Sequence, residues 1–356
     1  MTSSKKIQFV SALVLTLGLN AACGNGHEGD SSDISAVSSE LPACQLTTDC
    51  SQALPQLAKA KGFSGFYKKL ITKGKPLHRG RDIIVVPGAP VWIQAKFTYG
   101  ILDADLHKEV IDIYLSQGCY SGFQKIGQAL TSNDDEHEAV EGVADSGGRI
   151  YVNLATFGIK SLPIGRHRVV LVVPGDNTMT ELYITVVDPK QKIVVSDIDG
   201  TLTESELAAA VDVFGGSAKA HPGAAETLQV LHSKGYEILY LTARMEWLGA
   251  DTRKWLLAHH FPIGTIRTTN SKIGATGTAA SAFKLAQLEM LTDLTGIVPS
   301  IAIGNKITDV AAYNAAGISG DGSYYFGLNA DLAGGSEFSN YTFLAESFQA
   351  SAKVCQ

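Results

Sequence analysis

The spacing of apolar residues along the chain changes near residue 189. Before this point, apolar and polar positions alternate with a period of two, as in Val91–Tyr99. Such alternation is typical of strands with one buried face. The same pattern recurs, with turn residues between the repeats, at 111–115, 169–173 and 182–186. Several short strands in succession predict an antiparallel, immunoglobulin-like β-sandwich over residues 82–188.

Residues 190–356 have a different pattern, in which short, continuously apolar stretches alternate with segments of helical periodicity. Continuous apolar strands are typical of parallel sheets that are buried on both faces. We therefore predict a Rossmann-like α/β domain with a doubly wound parallel sheet. The strands are expected at 192–196, 236–241, 265–268 and 300–303, and the helices at 222–235, 246–259 and 279–294.

The N-terminal region is predicted to be a targeting segment rather than part of the fold. Two lysines precede the apolar run 7–19, which small residues follow. This order is typical of a signal peptide, here over residues 1–22, and the run is shorter than the ~20 residues that a membrane-spanning helix needs. The polar stretch 23–40 is expected to be a tether, and 41–81 a small helical segment.

Residues 19–23 resemble the signal of bacterial lipoproteins, in which the cysteine becomes the lipidated first residue. That resemblance implies an exported chain, held to a membrane by a lipid anchor at Cys23 and facing the periplasm or the cell exterior. The alternative is ordinary cleavage near Ala22, which would release a soluble periplasmic or secreted protein.

Four further cysteines remain, an even number that suits two disulfides in an oxidising compartment. They are Cys44, Cys50, Cys119 and Cys355. Pairing Cys44 with Cys50 would leave Cys119 for Cys355, but the sequence leaves all three possible pairings open.

Length and charge narrow the class of protein. The chain has 356 residues, which is more than one hydrophobic core usually serves, so two domains are expected. The formal net charge is -6, and acidic and basic residues are scattered along the chain. Nucleic acid is therefore not an expected partner, because the sequence has no basic patch.

Polar residues gather where the predicted parallel strands end. Ligands of doubly wound sheets bind outside the carboxyl ends of the strands, so these residues are candidates for a single site. The candidates are Asp197, Asp199, Gly200, Thr201, Thr242, Ala243, Arg244, Lys284, Asn305 and Asp309.

The acidic candidates suggest a metal ion. Neighbouring carboxylates repel each other unless a cation offsets their charge, and oxygen atoms are the ligands that Mg²⁺ prefers. The sequence contains no His-x-His or His-Glu-x-x-His motif that would favour zinc. The expected ligands of Mg²⁺ are Asp197, Asp199 with its backbone carbonyl, Asn305 and Asp309.

With a cation in place, Asp197 could attack phosphorus as a nucleophile, while Asp199 serves as general acid and then as general base. Phosphoryl transfer also needs donors positioned on the phosphate oxygens. Lys272 is a rival for the phosphate lysine, but its glycine-rich surroundings favour a loop. The expected phosphate-binding residues are Gly200, Thr201, Thr242, Ala243, Arg244 and Lys284.

These residues resemble the four motifs of the haloacid dehalogenase superfamily of phosphatases. The first motif is DxDGT at 197–201, and Thr242 and Lys284 stand for the second and third. Asn305 and Asp309 resemble the fourth, with Asn305 in place of the usual first acid. The 45 residues from Asp197 to Thr242 leave no room for a large cap, so an open site is expected.

Within this superfamily, residues 192–326 resemble the catalytic domain of lipins, the magnesium-dependent phosphatidate phosphatases. The stretches 196–203, 239–244 and 304–309 carry the resemblance, and Lys306 departs from the arginine of lipins. The resemblance implies hydrolysis of phosphatidate or a related phosphomonoester, with a phospholipid as partner. Lipins also pair this domain with an immunoglobulin-like one.

Two alternatives stay open. One keeps the mechanism but has a soluble sugar, inositol or nucleotide phosphate as substrate. The other is a phosphatidate-binding protein without catalysis, since some relatives of the lipin domain bind phosphatidate and do not hydrolyse it. The acid at Asp199, which a binder would not need, favours the hydrolase.

Overall fold

The computed structural model of the chain describes residues 49–206 and 218–355. The predicted signal peptide and tether, with Cys23, and also Cys44, lie outside the described residues, so the interpretations placed on them remain predictions. Within the described ranges, no helix has both the length and the apolar character needed to cross a membrane.

The first part of the described chain is all-β, apart from the short helix α1 (Phe66–Ile71) in the predicted helical segment. Its strands are β1 (Arg79–Gly80), β2 (Ile83–Val85), β3 (Trp92–Lys96), β4 (Thr98–Tyr99), β5 (Ala104–Asp105), β6 (Val110–Ser116), β7 (Gln124–Leu130), β8 (Arg149–Asn153), β9 (Gly165–Val173) and β10 (Thr178–Val186). They form a five-stranded sheet of order β2-β10-β9-β6-β7, a three-stranded sheet of order β1-β3-β8, and the pair β4-β5.

The two larger sheets share one hydrophobic core. Ile93 and Phe97 point into it from one side, and Ile113, Leu171 and Ile184 from the other. These are alternating positions of the period-two stretches, which explains why the alternation was visible in the sequence. The predicted immunoglobulin-like sandwich is confirmed, with a single parallel pairing in its larger sheets, between β10 and β2.

The second part of the described chain alternates strand and helix. Its elements are β11 (Ile193–Ser196), α2 (Ala224–Ser233), β12 (Glu237–Leu241), α3 (Gly249–Ala258), β13 (Thr265–Arg267), α4 (Gly277–Thr295), β14 (Ile301–Gly304), α5 (Ile307–Ala315), β15 (Ser323–Phe326), β16 (Ser336–Phe338) and α6 (Tyr341–Gln349). Short 3-10 turns occur at Gln117–Cys119, Leu154–Phe157, Glu246–Leu248 and Gly320–Gly322.

The six strands of this part form one parallel sheet of order β13-β12-β11-β14-β15-β16. The order reverses between β11 and β14, because the chain first builds outward on one side of β11 and then on the other. In doubly wound sheets the ligand binds outside the carboxyl ends of the strands at this reversal. The predicted α/β fold is confirmed, and Asp197 follows β11 directly.

Some elements differ from the predictions. The helix expected at 246–259 begins with the 3-10 turn Glu246–Leu248, and the α-helix starts only at Gly249. The sequence also missed α5, β15, β16 and α6. The edge strand β16 has three residues, two of them exposed and polar, so it carries too little apolar alternation to be recognised.

The sandwich and the α/β domain are joined through buried side chains as well as through the chain. Ile84 of β2 is 2% exposed and packs in the same cluster as Leu288 and Leu291 of α4. The boundary between the two parts is therefore apolar at this point, and neither part buries its own surface completely without the other.

A disulfide joins Cys50 to Cys119, with 4.8 Å between their Cα atoms. This rules out the pairing of Cys44 with Cys50, one of the possibilities that the sequence left open. Cys355 is also disulfide-bonded. The bridge fastens residues 49–64, which contain no helix or strand, to the end of β6.

Candidate active site

Asp197 lies at the carboxyl end of β11 and is 4% exposed. Its N–H donates to the Ile303 carbonyl at 2.9 Å, which continues the pairing of β11 with β14 beyond the last strand residue. The carboxylate is therefore held between the neighbouring strands β12 and β14, at the reversal of the sheet order.

Lys284 of α4 lies between two buried carboxylates. Its Nζ donates to Asp197 Oδ1 at 2.6 Å and to Asp309 Oδ1 at 2.5 Å. Burial lowers the pKa of Lys284, but the two carboxylates outweigh it and the net shift is upward. Lys284 is thus a fixed positive charge that joins the ends of β11 and β14.

The pKa of Asp197 is raised to about 7. Burial is the largest cause, the ammonium of Lys284 opposes it, and the nearby charges of Asp309 and Asp199 add to it. Without a further cation, Asp197 therefore ionises only near neutral pH.

Asp309 has no free carboxylate oxygen. Oδ1 accepts from Lys284, and Oδ2 accepts from the backbone N–H groups of Asn305 and Lys306, each at 3.0 Å. Asp309 therefore holds the turn after β14 and positions Lys284. Its predicted part in binding a metal remains a prediction, and one that would require these bonds to change.

The Thr201 hydroxyl and the side-chain oxygen of Asn305 lie on the side of Asp197 that does not contact Lys284. The Thr201 hydroxyl lies 3.2 Å from Asp197 Oδ2 and 3.0 Å from Asn305 Oδ1. The Tyr341 hydroxyl donates to the Thr201 carbonyl at 2.7 Å and so fixes this loop from α6. Gly200 has a φ of 76°, and a Cβ there would collide with Asn305. The loop therefore requires glycine.

Asp199 is held by a clamp rather than left free. Arg244 donates to both of its oxygens, with Nε at 3.1 and 2.9 Å and Nη2 at 2.8 Å from Oδ1. The Thr242 hydroxyl adds a bond to Oδ2 at 3.1 Å. Another guanidinium nitrogen of Arg244 donates to Thr252 at 3.0 Å, so the fork itself is fixed by α3.

The structure brings the predicted site residues together and places the rival candidate Lys272 elsewhere. Ala243 uses its carbonyl to accept from the Ala275 N–H at 3.0 Å, next to the clamp. Lys272, the rival phosphate lysine, points away and donates to the Asp103 carbonyl of the sandwich at 3.2 Å. The geometry thus favours Lys284 over Lys272.

The sequence did not predict two residues of the site, Glu206 and Tyr341. Glu206 contacts the Asn305 amide and the Lys306 ammonium at the exposed side of the site. Tyr341 reaches Thr201 from 140 residues further along the chain. An acid five residues beyond a DxDGT motif is a weak local signal, and the tyrosine leaves no local signal at all.

The donors around Asp197 fit magnesium. Asp197 Oδ2 and Asn305 Oδ1 face the same hydroxyl, and two such oxygens with waters suit a cation that keeps part of its hydration shell. Within the described ranges, three acidic or histidine ligand atoms lie within 4.8 Å of one another only at Asp105, His107 and Asp134, in the sandwich. That cluster is separate from the predicted site.

Two models of known families match the chain in adjoining stretches. Residues 76–186 match the beta-sandwich domain of PITM 1-3, and residues 194–327 match the LNS2 domain of PITM 1-3. The first stretch coincides with the sandwich, and the second contains every residue of the carboxylate site except Tyr341.

Similar curated proteins bear related names. Protein retinal degeneration B of Drosophila melanogaster is 30% identical over 274 residues, which are 77% of this chain and 20% of that protein. Membrane-associated phosphatidylinositol transfer protein 1 of Homo sapiens is 29% identical over 256 residues, 70% of this chain and 18% of that protein. The chain thus spans about a fifth of the length of these relatives.

Solved structures resemble the α/β domain at low identity. D,D-heptose 1.7-bisphosphate phosphatase from B. bronchiseptica, complexed with magnesium and phosphate, matches with a TM-score of 0.34 and 14% identity over 44% of this chain and 97% of that one. A phospho-aspartyl intermediate analogue of phosphoserine phosphatase matches with a TM-score of 0.33 and 13% identity, over 44% and 98%. Similarity at this level carries no argument about the reaction.

These matches correct the lipin resemblance, because the matching models and the relatives named above are of PITM and phosphatidylinositol transfer proteins instead. The α/β domain has a doubly wound parallel sheet, and the two parts of the chain are similar to the beta-sandwich and LNS2 domains of PITM 1-3.

Proposed function

We propose that this chain is a magnesium-dependent phosphomonoester hydrolase that acts through an aspartyl-phosphate on Asp197, with a phosphatidate-like phospholipid as substrate. The surroundings of Asp197 carry the proposal. One of its oxygens is bound to Lys284, and the other faces Thr201 and Asn305. A buried carboxylate with a raised pKa, at the switch point of a doubly wound sheet, is typical of a catalytic group.

In the first step, an oxygen of Asp197 attacks phosphorus and the bond from phosphorus to the ester oxygen breaks. Asp199 transfers a proton to that leaving oxygen, which departs as the alcohol. A water molecule then attacks the phosphorus and gives a proton back to Asp199. The bond between phosphorus and Asp197 breaks, which releases inorganic phosphate and restores the carboxylate.

Asp197, Asn305 and the backbone carbonyl predicted at Asp199 would hold Mg²⁺. When bound, the ion would neutralise part of the charge on the phosphate oxygens. Lys284 supplies a second positive charge at the same phosphate, and the Thr242 hydroxyl supplies a neutral donor. Asp309 keeps Lys284 oriented for this purpose.

A phospholipid substrate is supported by the relatives rather than by a groove. Their names describe membrane-associated phosphatidylinositol transfer proteins. An anchor at Cys23, predicted from the sequence, would place the site beside a bilayer.

A second candidate function is recognition of a phospholipid headgroup without hydrolysis, and the clamp on Asp199 favours it. Arg244 and Thr242 together occupy both oxygens of Asp199. An acid engaged in this way must leave its partners before it can reach a leaving group. Hydrolysis therefore requires Arg244 to shift towards the phosphate when substrate binds.

The test is release of inorganic phosphate by the full chain from phosphatidate in mixed micelles and from glycerol 3-phosphate, each with Mg²⁺ and with a chelator. We expect release from phosphatidate that needs Mg²⁺ and that falls at least ~10³-fold in Asp197→Asn. Asp293→Asn, which changes an exposed acid of α4, is the matched control and should keep full activity.

Three other outcomes would contradict parts of the proposal. Preference for glycerol 3-phosphate would overturn the lipid substrate. Unchanged release in Asp197→Asn would overturn the nucleophile. Binding to phosphatidate vesicles without any release would overturn the hydrolase and support the headgroup-binding function.

A further inference from the structure

A cavity of ≈ 220 Å³ lies where the sandwich meets the α/β domain. It shares no residue with the carboxylate site. Strands β1, β3, β8, β9 and β10 contribute residues on the sandwich side, and β13 and α3 contribute residues on the other side. Six of the eight arginines in the chain line it, namely Arg79, Arg81, Arg149, Arg166, Arg253 and Arg267.

The acids of this cavity are already bonded. Glu246 accepts from Arg149 at 2.8 and 3.0 Å and from Arg79 at 2.9 Å, which engages both of its oxygens. Asp82 accepts from Arg253 at 2.7 Å and from two backbone N–H groups, again through both oxygens. Both oxygens of each acid therefore already accept at least one hydrogen bond.

The other two acids that line the cavity, Glu181 and Asp49, do not offset the charge of the remaining arginines. Glu181 accepts from Arg168 and from the Tyr183 hydroxyl, one partner for each oxygen. Asp49 is exposed at the edge of the cavity. The lining therefore carries more arginines than it has carboxylates to pair with them.

Arg267 and Arg166 are the two arginines of the cavity whose hydrogen bonding is incomplete among the described residues. Arg267 is 7% exposed, and one of its terminal nitrogens is buried without a hydrogen-bond partner among the described residues. Arg166 is 5% exposed, and its Nε is likewise buried without a partner there. Its guanidinium lies 4.0 Å over the Tyr183 ring, and its Nη1 donates to the Gly264 carbonyl at 3.4 Å, so the free donor is Nε.

Buried donors of this kind are rare, because a desolvated polar group without a partner costs free energy. Burial is the main cause that lowers the pKa of both arginines, Arg267 and Arg166. The charges of Glu141 and then Asp82 oppose it at Arg267, whereas at Arg166 the charge of Arg253 adds to it and Asp82 opposes it. Two incompletely paired guanidiniums in one cavity are consistent with a bound anion that supplies the missing acceptors.

We propose that this cavity binds a small phosphate-bearing anion between the two parts of the chain, with Arg267 and Arg166 as its main donors. Guanidinium forks match phosphate oxygens two at a time, which a lysine cannot do. Exposed Lys254 and Leu257 lie at the edge of the cavity, so a ligand can enter there. The site is independent of the proposed hydrolase.

The test measures thermal unfolding of the full chain with inorganic phosphate or glycerol 3-phosphate, against sodium chloride at equal ionic strength. The wild type should gain Tm with either phosphate. In Arg267→Met the apparent affinity should fall at least tenfold, and the Tm without phosphate should rise because a buried charge is removed. Arg166→Met is the second variant, in case the first does not fold.

Lys125→Met is the matched control, since it removes one positive charge from a partly exposed pair on β7. It should keep the full response to phosphate. If both arginine variants respond like the wild type, the anion binds only elsewhere and the proposal is wrong. If an arginine variant has a lower Tm but keeps the full response to phosphate, the arginine has only a structural role and the proposal is again wrong.

Vesicles separate the two sources of the phosphate group. Flotation with phosphatidylcholine vesicles, with and without phosphatidate, tests a lipid headgroup. Loss of phosphatidate-dependent flotation in Arg267→Met would assign the cavity to a lipid. Normal flotation together with a lost response to glycerol 3-phosphate would assign it to a soluble ester, and both results support the cavity as an anion site.

Discussion

The carboxylate site and the arginine cavity are built from the same kinds of residue in opposite proportion. At the carboxylate site, Lys284 and Arg244 face three aspartates, so one negative charge is in excess. The cavity lining has seven lysine and arginine side chains and four acids, and two further acids, Asp103 and Glu141, lie beside Arg79 and Arg81, so one positive charge is in excess. A buried cluster attracts a ligand that offsets its surplus charge. The comparison assigns a cation to the first and an anion to the second.

The strongest way to break this comparison is to remove the cation that the carboxylates share. Lys284→Met leaves Asp197 and Asp309 buried side by side without their common partner. We expect the free energy of unfolding to fall by about 3–5 kcal/mol, as when one partner of a buried ion pair is lost. Phosphate release should fall ~10²- to 10³-fold because a phosphate donor disappears.

Urea unfolding and initial rates measure these two effects. Lys272→Met is the control, because Lys272 is half exposed and bound only to Asp103 of the sandwich. Its free energy of unfolding should change by less than about 1 kcal/mol. Equal effects of the two substitutions would mean that the shared lysine has no special place in the site.

Next in size is the removal of an acid from the cavity. Glu246→Gln leaves Arg149 without its carboxylate, while Arg79 keeps Asp103 at 2.6 Å. The free energy of unfolding should fall by about 3 kcal/mol. Because the positive surplus grows, the Tm gain with inorganic phosphate should become larger than in the wild type.

Thermal unfolding with and without phosphate checks both statements. Glu136→Gln, in an exposed pair with Lys108, should leave the unfolding midpoint and the phosphate response unchanged. A smaller phosphate response in Glu246→Gln would contradict the idea that surplus charge determines the ligand.

A smaller effect is expected from Arg244→Lys, which keeps the charge at Asp199 but loses the fork. The hydrogen bonds to Asp199 decrease in number, which should lower the free energy of unfolding by about 1–2 kcal/mol. The value of kcat should fall roughly tenfold, with a smaller change in KM, because Asp199 is no longer oriented. A change in KM alone would place Arg244 in substrate binding instead.

The last effect, absent at neutral pH, concerns His78, which precedes Arg79 of the cavity wall. Burial lowers its pKa to about 4, Asp176 partly opposes this, and the positive charge of Arg79 adds to it. Its Nδ1 accepts from the Thr98 N–H at 3.2 Å, and its Nε2 lies 2.9 Å from the Thr178 hydroxyl, as a neutral ring requires.

The unfolded chain binds a proton at His78 near pH 6.5, whereas the folded chain resists it down to about pH 4. Stability from this residue is therefore full above pH 6.5 and is lost as the pH falls towards 4, by at most about 3 kcal/mol. His78→Gln should flatten the dependence of the unfolding free energy on pH over this range. Parallel curves for the two proteins would contradict the assignment.

The sequence predicted what local patterns encode. Alternation at Val91–Tyr99 predicted a strand of the sandwich, and the DxDGT stretch after an apolar strand located Asp197 at the sheet edge. Lys284 could be predicted because the helical periodicity of α4 is visible in the sequence around it. These features depend on residues that are close in sequence, where spacing alone indicates which side chains share a face.

The remaining features depend on distant partners. Tyr341 supports Thr201, and Glu246 binds two sandwich arginines, although nothing near either residue indicates its partner. The Cys50–Cys119 bridge was one of three possibilities for the same reason. The arginine cavity also stayed hidden, since its six arginines are spread from residue 79 to residue 267.

The packing of Ile84 against α4 bears on how this chain can be inherited and dissected. A gene fragment that encodes only the α/β domain would leave Leu288 and Leu291 exposed to water. A fragment that encodes only the sandwich would leave Ile84 exposed to water. Recombination at residues 187–191 would therefore produce two aggregation-prone products. The matches to the two PITM 1-3 domains adjoin each other at this same boundary.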